Sequence, residues 1–565
     1  MAAGVTLAWL AVAPALLGSA AHDLAVGAVA GLLPLTPGLW WWRRLRPRAH
    51  GIAVDARAFA AAAVAGSLLA SVALTTWLWD ERSTHFGLTA AMARGVLPPV
   101  HPQLPDAPFP YHTGFDALAA LAVRMTGLPV DVALDVTSLA VAAVLLASLA
   151  AWGRELCGSV GARAAPLLVL GAYGPAALCV EAVQGVVPDC SALVPERWVH
   201  FAYVPPPLVS AFFQHPQALG MVLFVTSLRL FFAGGRAARA LSCIVIAALA
   251  HAQIVFFAVC GAALALASVV DAVRRRDGRA LAERAITLGV ALAGAALTAR
   301  FFVRPEAPPV FHFVGHFTAA YGAGPAGAVL WHAILFPGAL AGLAFAARAT
   351  SRADPMRVAL AAAAVIAFMV PNIVSYERSW DIVKFFSVAM FAGNLLFLDV
   401  LAAVSRIARA ALAALAGVTS LVWLLRFGAL NGVIAPAYTE RAPDAVAVAF
   451  AARFADVVGD GRVLTRRGSL QEAGVMLAAV DPREVGITFL FDREQREQRF
   501  VEGDRVLRAF DVDGMRALGA SFAFLSVDDA MAMSPEARAR ATALTSWTLE
   551  VGSARFVLVR LAPSG

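Results

Sequence analysis

The chemistry available to this sequence lies in carboxylates, histidines and cations gathered into a few loops between apolar segments. One gathering runs Trp77-Leu78-Trp79-Asp80-Glu81-Arg82-Ser83-Thr84-His85. Two adjacent carboxylates leave an apolar segment there, and on a helix Glu81 and His85 would share a face. Such a set can take a proton from a hydroxyl, with a carboxylate as general base. Residues 84–95 then read as an amphipathic helix lying on a surface, which Pro98, Pro99 and Pro102 break. Phe109-Pro110-Tyr111-His112-Thr113-Gly114 follows. A late gathering is denser: Ser375-Tyr376-Glu377-Arg378-Ser379-Trp380-Asp381-Ile382-Val383-Lys384-Phe385-Phe386. Arg378 and Lys384 suit a phosphate, and Glu377 and Asp381 can hold the two cations in place. Lys384 is the single lysine among 45 basic residues. The plainer readings are a solvated helix end around Asp80 and a self-neutralised helix cap around Arg378.

Two further loops are polar. One holds Asp189, Glu196, Arg197 and His200, and the other holds Arg304, Glu306, His312 and His316. His312 and His316 have the spacing of two metal ligands on a helix, but no glutamate accompanies them. A wet interfacial loop is the favoured reading. The five cysteines show no metal spacing, and free apolar thiols are favoured over a Cys179–Cys190 disulfide.

The elements that must position these loops are apolar. The chain is 60% hydrophobic and 15% charged, with a mean hydropathy of +0.73. Runs long enough to span a hydrocarbon core of about 30 Å recur at 58–78, 132–152, 165–183, 285–302, 327–347 and 385–404. From about residue 436 onward the pattern changes to charges every few residues with no span-length run. The expected fold class is therefore mainly α: a polytopic transmembrane helical domain over 1–435, then a small α/β soluble domain over 436–565. The first apolar run has no preceding Lys or Arg, which favours an uncleaved helix over a signal peptide.

Arginines set the expected topology. Arg43 to Arg57, Arg154/Arg163, Arg236/Arg239, Arg274 to Arg284, Arg348 to Arg357 and Arg406/Arg409 belong on the cytoplasmic side. The stretch 241–270 lies between two basic loops, so both its ends share a side. It must be a hairpin of two short helices turning near His251-Ala252-Gln253. This gives about 13 spans, with the N-terminus inside and the C-terminal domain outside. Most of the 11 histidines, among them His85, His112, His200, His215, His312 and His316, then fall on the outer side, so chemistry or a polar cavity belongs there.

Asp80-Glu81, His85, Gly95-Val96-Leu97-Pro98-Pro99 and Pro110-Tyr111-His112-Thr113-Gly114 resemble the polytopic GT-C superfamily of membrane glycosyltransferases, in its bacterial members. Arg378, Asp381 and Lys384-Phe385-Phe386 add to the resemblance. One departure is that two helices precede the acidic pair here, where the family usually has one. The resemblance implies a polyprenyl-phosphate sugar as donor and a glycan, lipid or protein as acceptor, with inverting transfer on the outer face of the cell membrane. It implies Asp80 as base and Glu81 as the group that orients it or holds a divalent metal, Mg2+ or Mn2+. His85, His112, Arg304, Arg378, Asp381 and Lys384 become the substrate and phosphate site.

The C-terminal part reads as strands at 462–465, 485–491, 521–526 and 554–560, with helices at 515–518 and 535–544. It is slightly acidic overall, which excludes a nucleic-acid partner. The rival readings are a flippase or transporter of lipid-linked oligosaccharide, an O-antigen polymerase or ligase, and a scaffold. A transporter would place polar groups within its spans and show internal repeats, and neither pattern is present.

Overall fold

The computed structural model of the chain describes residues 2–21, 85, 87–97, 112–171, 207, 215–233, 235–302, 311–312, 337–348, 354–373, 375–376, 384–412, 414, 457–458, 463–465, 493–551 and 554–561. The first part is helical. In chain order come α1 (Ala2–Ala21), α2 (Gly87–Ala93), α3 (Gly114–Thr126), α4 (Val130–Gly171), α5 (His215–Phe232), α6 (Arg236–Ala252), α7 (Ile254–Arg275) and α8 (Gly278–Phe302). The two-residue strand β1 (Phe311–His312), α9 (Pro337–Arg348), α10 (Pro355–Ile373), the strand β2 (Ser375–Tyr376) and α11 (Lys384–Ala403) follow.

Among the described residues five helices are long and apolar enough to cross a membrane: Val132–Glu155, Ile254–Arg275, Gly278–Thr298, Pro355–Ile373 and Lys384–Ala403. Large apolar side chains remain exposed on them at helical spacing: Leu266, Val269 and Val273 on α7, and Ile286, Val290 and Leu297 on α8. Such stripes suit hydrocarbon rather than water. The chain is a multi-pass membrane protein. The expected total of about 13 spans, the boundary at 435 and the segment 58–78 lie outside the described residues.

Local chemistry explains the breaks. Gln253 has extended φ/ψ (−163°, 105°), ends α6 and begins α7, and its side chain accepts a hydrogen bond from the Val255 amide. The stretch 241–270 thus breaks where expected, but α7 continues to Arg275 and is a full span rather than a short helix. Within α4, Gly158 takes φ 66°, ψ −151°, open to glycine alone. The chain folds back there, so that Gly153 lies against the Gly161 carbonyl.

The two ends of the bundle differ. One is stitched by ion pairs: Arg229 to Glu155, Arg239 to Glu283 at 2.6 Å, and Asp271 to Arg275 at 2.8 Å and to Arg284 at 2.7 Å. Arg357 reaches Asp399 through two bonds of 2.7 and 3.1 Å. Arg409 donates to the Leu401 carbonyl at 2.7 Å, closing the end of α11. Among the described residues this end collects Arg239, Arg275, Arg284, Arg357 and Arg409, members of four of the arginine groups that the charge rule assigns to one side. Since the Arg357 fork uses two nitrogens, Arg357→Lys is expected to cost about 1–2 kcal/mol through loss of one charged hydrogen bond. Comparing its chemical unfolding in mixed micelles with wild type checks this.

Phe224, Phe256 and Phe391 stack edge to face with centroids 5.7 to 6.2 Å apart and tie α5, α7 and α11 together nearer the other end. The buried core continues through Trp152, Phe115 and Phe386.

An α/β unit follows: β3 (Val463–Thr465), α12 (Arg493–Ala509), α13 (Val512–Ala517), β4 (Phe522–Ser526), α14 (Val527–Met531), α15 (Pro535–Thr542), β5 (Ser546–Val551) and β6 (Ala554–Arg560). The sheet order is β3-β4-β6-β5, with β3 parallel to β4 and the other pairs antiparallel. Ser534 caps α15 and Asp511 caps α13 by accepting from backbone amides. Three expected strands and both expected helices are found, and the expected strand at 485–491 lies outside the described residues. The edge strand β5 and the charged helix α12 are additions.

Candidate functional site at the histidine end

The end opposite the basic one gathers buried polar side chains: His85, Thr89, His112, Asp116, Gln217, His251 and Gln253. The short helix α2 carries His85 just ahead of it and Thr89 within it. It is enclosed rather than laid on a surface, with Met92, Ala93 and Leu97 packed against Ala117 and Ala120 of α3. This corrects the expected surface helix over 84–95. Its composition is mostly alanine and small residues, which a neighbouring helix can cover as readily as solvent.

Helix α3 has 13 residues, a length of about 20 Å, too short to cross a bilayer core. Every residue from Gly114 to Leu121 is buried. Its start is seated on the end of α6: a Cβ added at Gly114 would lie 2.8 Å from the His251 carbonyl oxygen. Only glycine permits that approach. Gly127 at φ 72° closes the helix, its amide donating to the Val123 carbonyl.

Asp116 stands in the first turn of α3, where the helix dipole favours negative charge. It is wholly buried, at 0% exposure. Its Oδ1 lies 2.9 Å from His85 Nδ1, and Thr89 Oγ1 donates to the same oxygen at 3.5 Å, the outer limit for such a bond. Oδ2 has no hydrogen-bond partner among the described residues. The edge of the His85 ring meets Phe115, with centroids 6.4 Å apart.

His112, two residues before α3, lies close enough to Lys384 and His85 to feel the charge of both. Burial first, then Lys384, then His85 hold its imidazole well below the usual histidine range. Three expected site residues, His85, His112 and Lys384, are thus brought together from loops far apart in sequence. The strands β1 and β2 add a second link, pairing Phe311 with Tyr376 and His312 with Ser375, so the loop after α8 meets the loop before α11. His312 therefore sits on a strand, not on the helix that an i,i+4 metal pair with His316 requires. Asp80, Glu81, Arg304, Arg378 and Asp381 lie outside the described residues.

Asp116 was not among the expected site residues. Its signal is a lone carboxylate in the first turn of an otherwise apolar helix, directly after the Pro110-to-Gly114 motif. Among the described residues no three His, Cys, Asp or Glu side chains group as metal ligands. The positive charge of Lys384 beside the His112 cluster does not suit a divalent cation there.

The depressed His112 sets a pH dependence. An unfolded chain takes up this proton near 6.5, while the folded protein holds the ring neutral to well below that. The unfolded state then binds more protons, so stability is expected to fall as pH drops through about 6.5. His112→Gln removes that part of the slope. Thermal unfolding at neutral and mildly acidic pH, wild type against variant, checks it.

No protein-family profile matches the chain, and no curated protein matches it. Among solved structures, the chain is similar to ArnT from Cupriavidus metallidurans in the apo state. The match covers 90% of this chain and 98% of that one, at 14% identity and a TM-score of 0.48.

Proposed function

We propose that the protein is an integral membrane glycosyltransferase of the cell membrane that works at its histidine end, on the face away from the cytoplasm. Its donor is a polyprenyl-phosphate sugar, its acceptor a glycan, lipid or protein, and the transfer inverts the anomeric centre. One observation carries the reading: His85, His112 and the sole lysine, Lys384, come together beside a buried carboxylate at the end of the bundle that lacks the arginine clusters. A phosphate leaving group needs cations more than it needs a general acid.

In this reading Asp80 takes the proton of an acceptor hydroxyl as its oxygen attacks the anomeric carbon. The bond from that carbon to the phosphate oxygen breaks, and its electron pair leaves on the phosphate. Lys384, His85, His112, Arg304 and Arg378 receive the growing charge, Asp381 steadies the cations, and Glu81 orients Asp80. A Mg2+ or Mn2+ ion at Asp80 and Glu81 would add charge stabilisation. The C-terminal α/β unit lies on the same outer side and binds acceptor or covers the site.

The test is transfer from polyprenyl-phosphate sugars in membranes. Asp80→Asn is expected to slow transfer by about 10²–10⁴-fold. Full activity in that variant removes Asp80 as base, and no transfer by wild type from any polyprenyl donor overturns the reading.

A further inference from the structure

In the transfer step Asp116, the partner of His85, has no role assigned. Asp116 is buried completely, and His85 is 6% exposed at the side chain. A carboxylate at that depth is costly unless a cation or proton donor matches it. His85 lies directly against it, and His112, next to His85, lies in turn beside Lys384. His112 is held neutral by burial and by Lys384. The donor directly against Asp116 is His85 Nδ1 at 2.9 Å. A ring held through Nδ1 turns Nε2 to its opposite side, and a carboxylate on one nitrogen favours the proton-bearing ring.

We propose that Asp116 is a positioning residue: it fixes His85 through Nδ1 so that the ring donates from Nε2 to an oxygen of a bound phosphate group. Asp116 Oδ2, which has no hydrogen-bond partner among the described residues, then accepts from a sugar hydroxyl of the donor. This rests on the reading of a phosphate-bearing donor and assigns how the phosphate end is recognised. The phosphate belongs either to a lipid head group or to a free anion, and both offer the same oxygens. Among the described residues the charged and titratable groups near His85 are Asp116 of α3 and His112 before it, with Lys384 of α11 beside His112; Asp80 and Glu81 stand earlier in its own segment of the sequence. Arg94, beyond the far end of α2, is exposed.

The experiment uses the full chain in lipid nanodiscs. Binding of inorganic phosphate and of a short-chain polyprenyl phosphate is measured between mildly acidic and mildly basic pH. Wild type is expected to bind the polyprenyl phosphate and to lose it as pH rises. In Asp116→Asn that loss is expected at lower pH, weakening binding about tenfold at slightly basic pH. Asp116→Glu is expected to restore part of the difference, His85→Gln to remove the pH step, and His112→Gln to keep it. Binding of inorganic phosphate as well assigns the site to phosphate in general; binding of the lipid alone assigns it to the head group in its lipid setting. Both outcomes support the proposal when Asp116 moves the step. Wild-type pH behaviour in a folded Asp116→Asn overturns it, as does a wild type that binds neither probe. If Asp116→Asn does not fold, a pH step persisting in His85→Gln overturns it instead. Asp116-dependent binding without sugar transfer leaves this proposal standing and removes the glycosyltransferase reading; transfer with an unmoved pH step does the reverse.

Discussion

His85→Leu is expected to destabilise the protein by about 3–5 kcal/mol, among the largest losses for any single change at the histidine end. The change leaves the Asp116 carboxylate at 0% exposure without the nitrogen 2.9 Å away that now matches it. The remaining bond, from Thr89 at 3.5 Å, is too long to replace it. The double variant His85→Leu/Asp116→Leu removes charge and partner together and fills the space with apolar volume. It is expected to recover most of the loss, because a buried pair exchanged for well-packed hydrophobic residues is often neutral. Apparent unfolding free energies of the two single variants and the double variant in mixed micelles decide this. Additive losses would show that the two side chains act separately.

Gly393→Leu is expected to slow sugar transfer by about 10²-fold while the chain still inserts and folds. Helices α9 and α11 cross with their backbones nearly touching. A Cβ at Gly342 would sit 2.6 Å from the Gly393 carbonyl oxygen, and one at Gly393 would sit 2.7 Å from the Ala339 Cα. Small residues that let backbones meet are the usual means of packing membrane helices. Forcing four more carbons into the crossing costs about 1–3 kcal/mol and is relieved by moving one helix. Helix α11 begins at Lys384, so its displacement carries the lysine away from His112 and His85. Gly289→Leu on α8, where a Cβ would meet nothing within 4 Å, serves as the control and is expected to leave the rate unchanged. Equal rates in both variants would detach the α9–α11 crossing from the site.

What the sequence tells of this protein follows from how local each signal is. Spans such as 132–152 and 385–404 are legible because length and hydropathy are properties of one segment. The break at Gln253 is legible because two arginine-rich loops force both ends of 241–270 to one side. The burial of α2 is not, since its short stretch of alanines and Thr89 reads equally well under lipid, water or another helix. Asp116 is missed for a related reason. An acidic residue in the first turn of a helix is ordinary, and only the fold over Gly114 shows that this one is sealed from solvent against His85. In the C-terminal unit, α12 carries little apolar periodicity beyond the buried Val506 and Leu507, so its charges disguise it. His85, His112 and Lys384 were each visible as candidates by type, and their common location is a property of tertiary structure alone.

The stitching of the basic end has a consequence for how the molecule responds to dissolved ions. Its pairs are partly wet: Arg279 is 89% exposed at the side chain and Arg275 63%. Mobile ions screen such charges over about 8 Å at physiological ionic strength. The His85–Asp116 pair is out of their reach. Added salt therefore loosens the described part of the bundle from its basic end and leaves the buried His85–Asp116 pair unscreened. A change in ionic strength reaches the site, if at all, as a change in how firmly the far ends of α7, α8 and α10 are anchored.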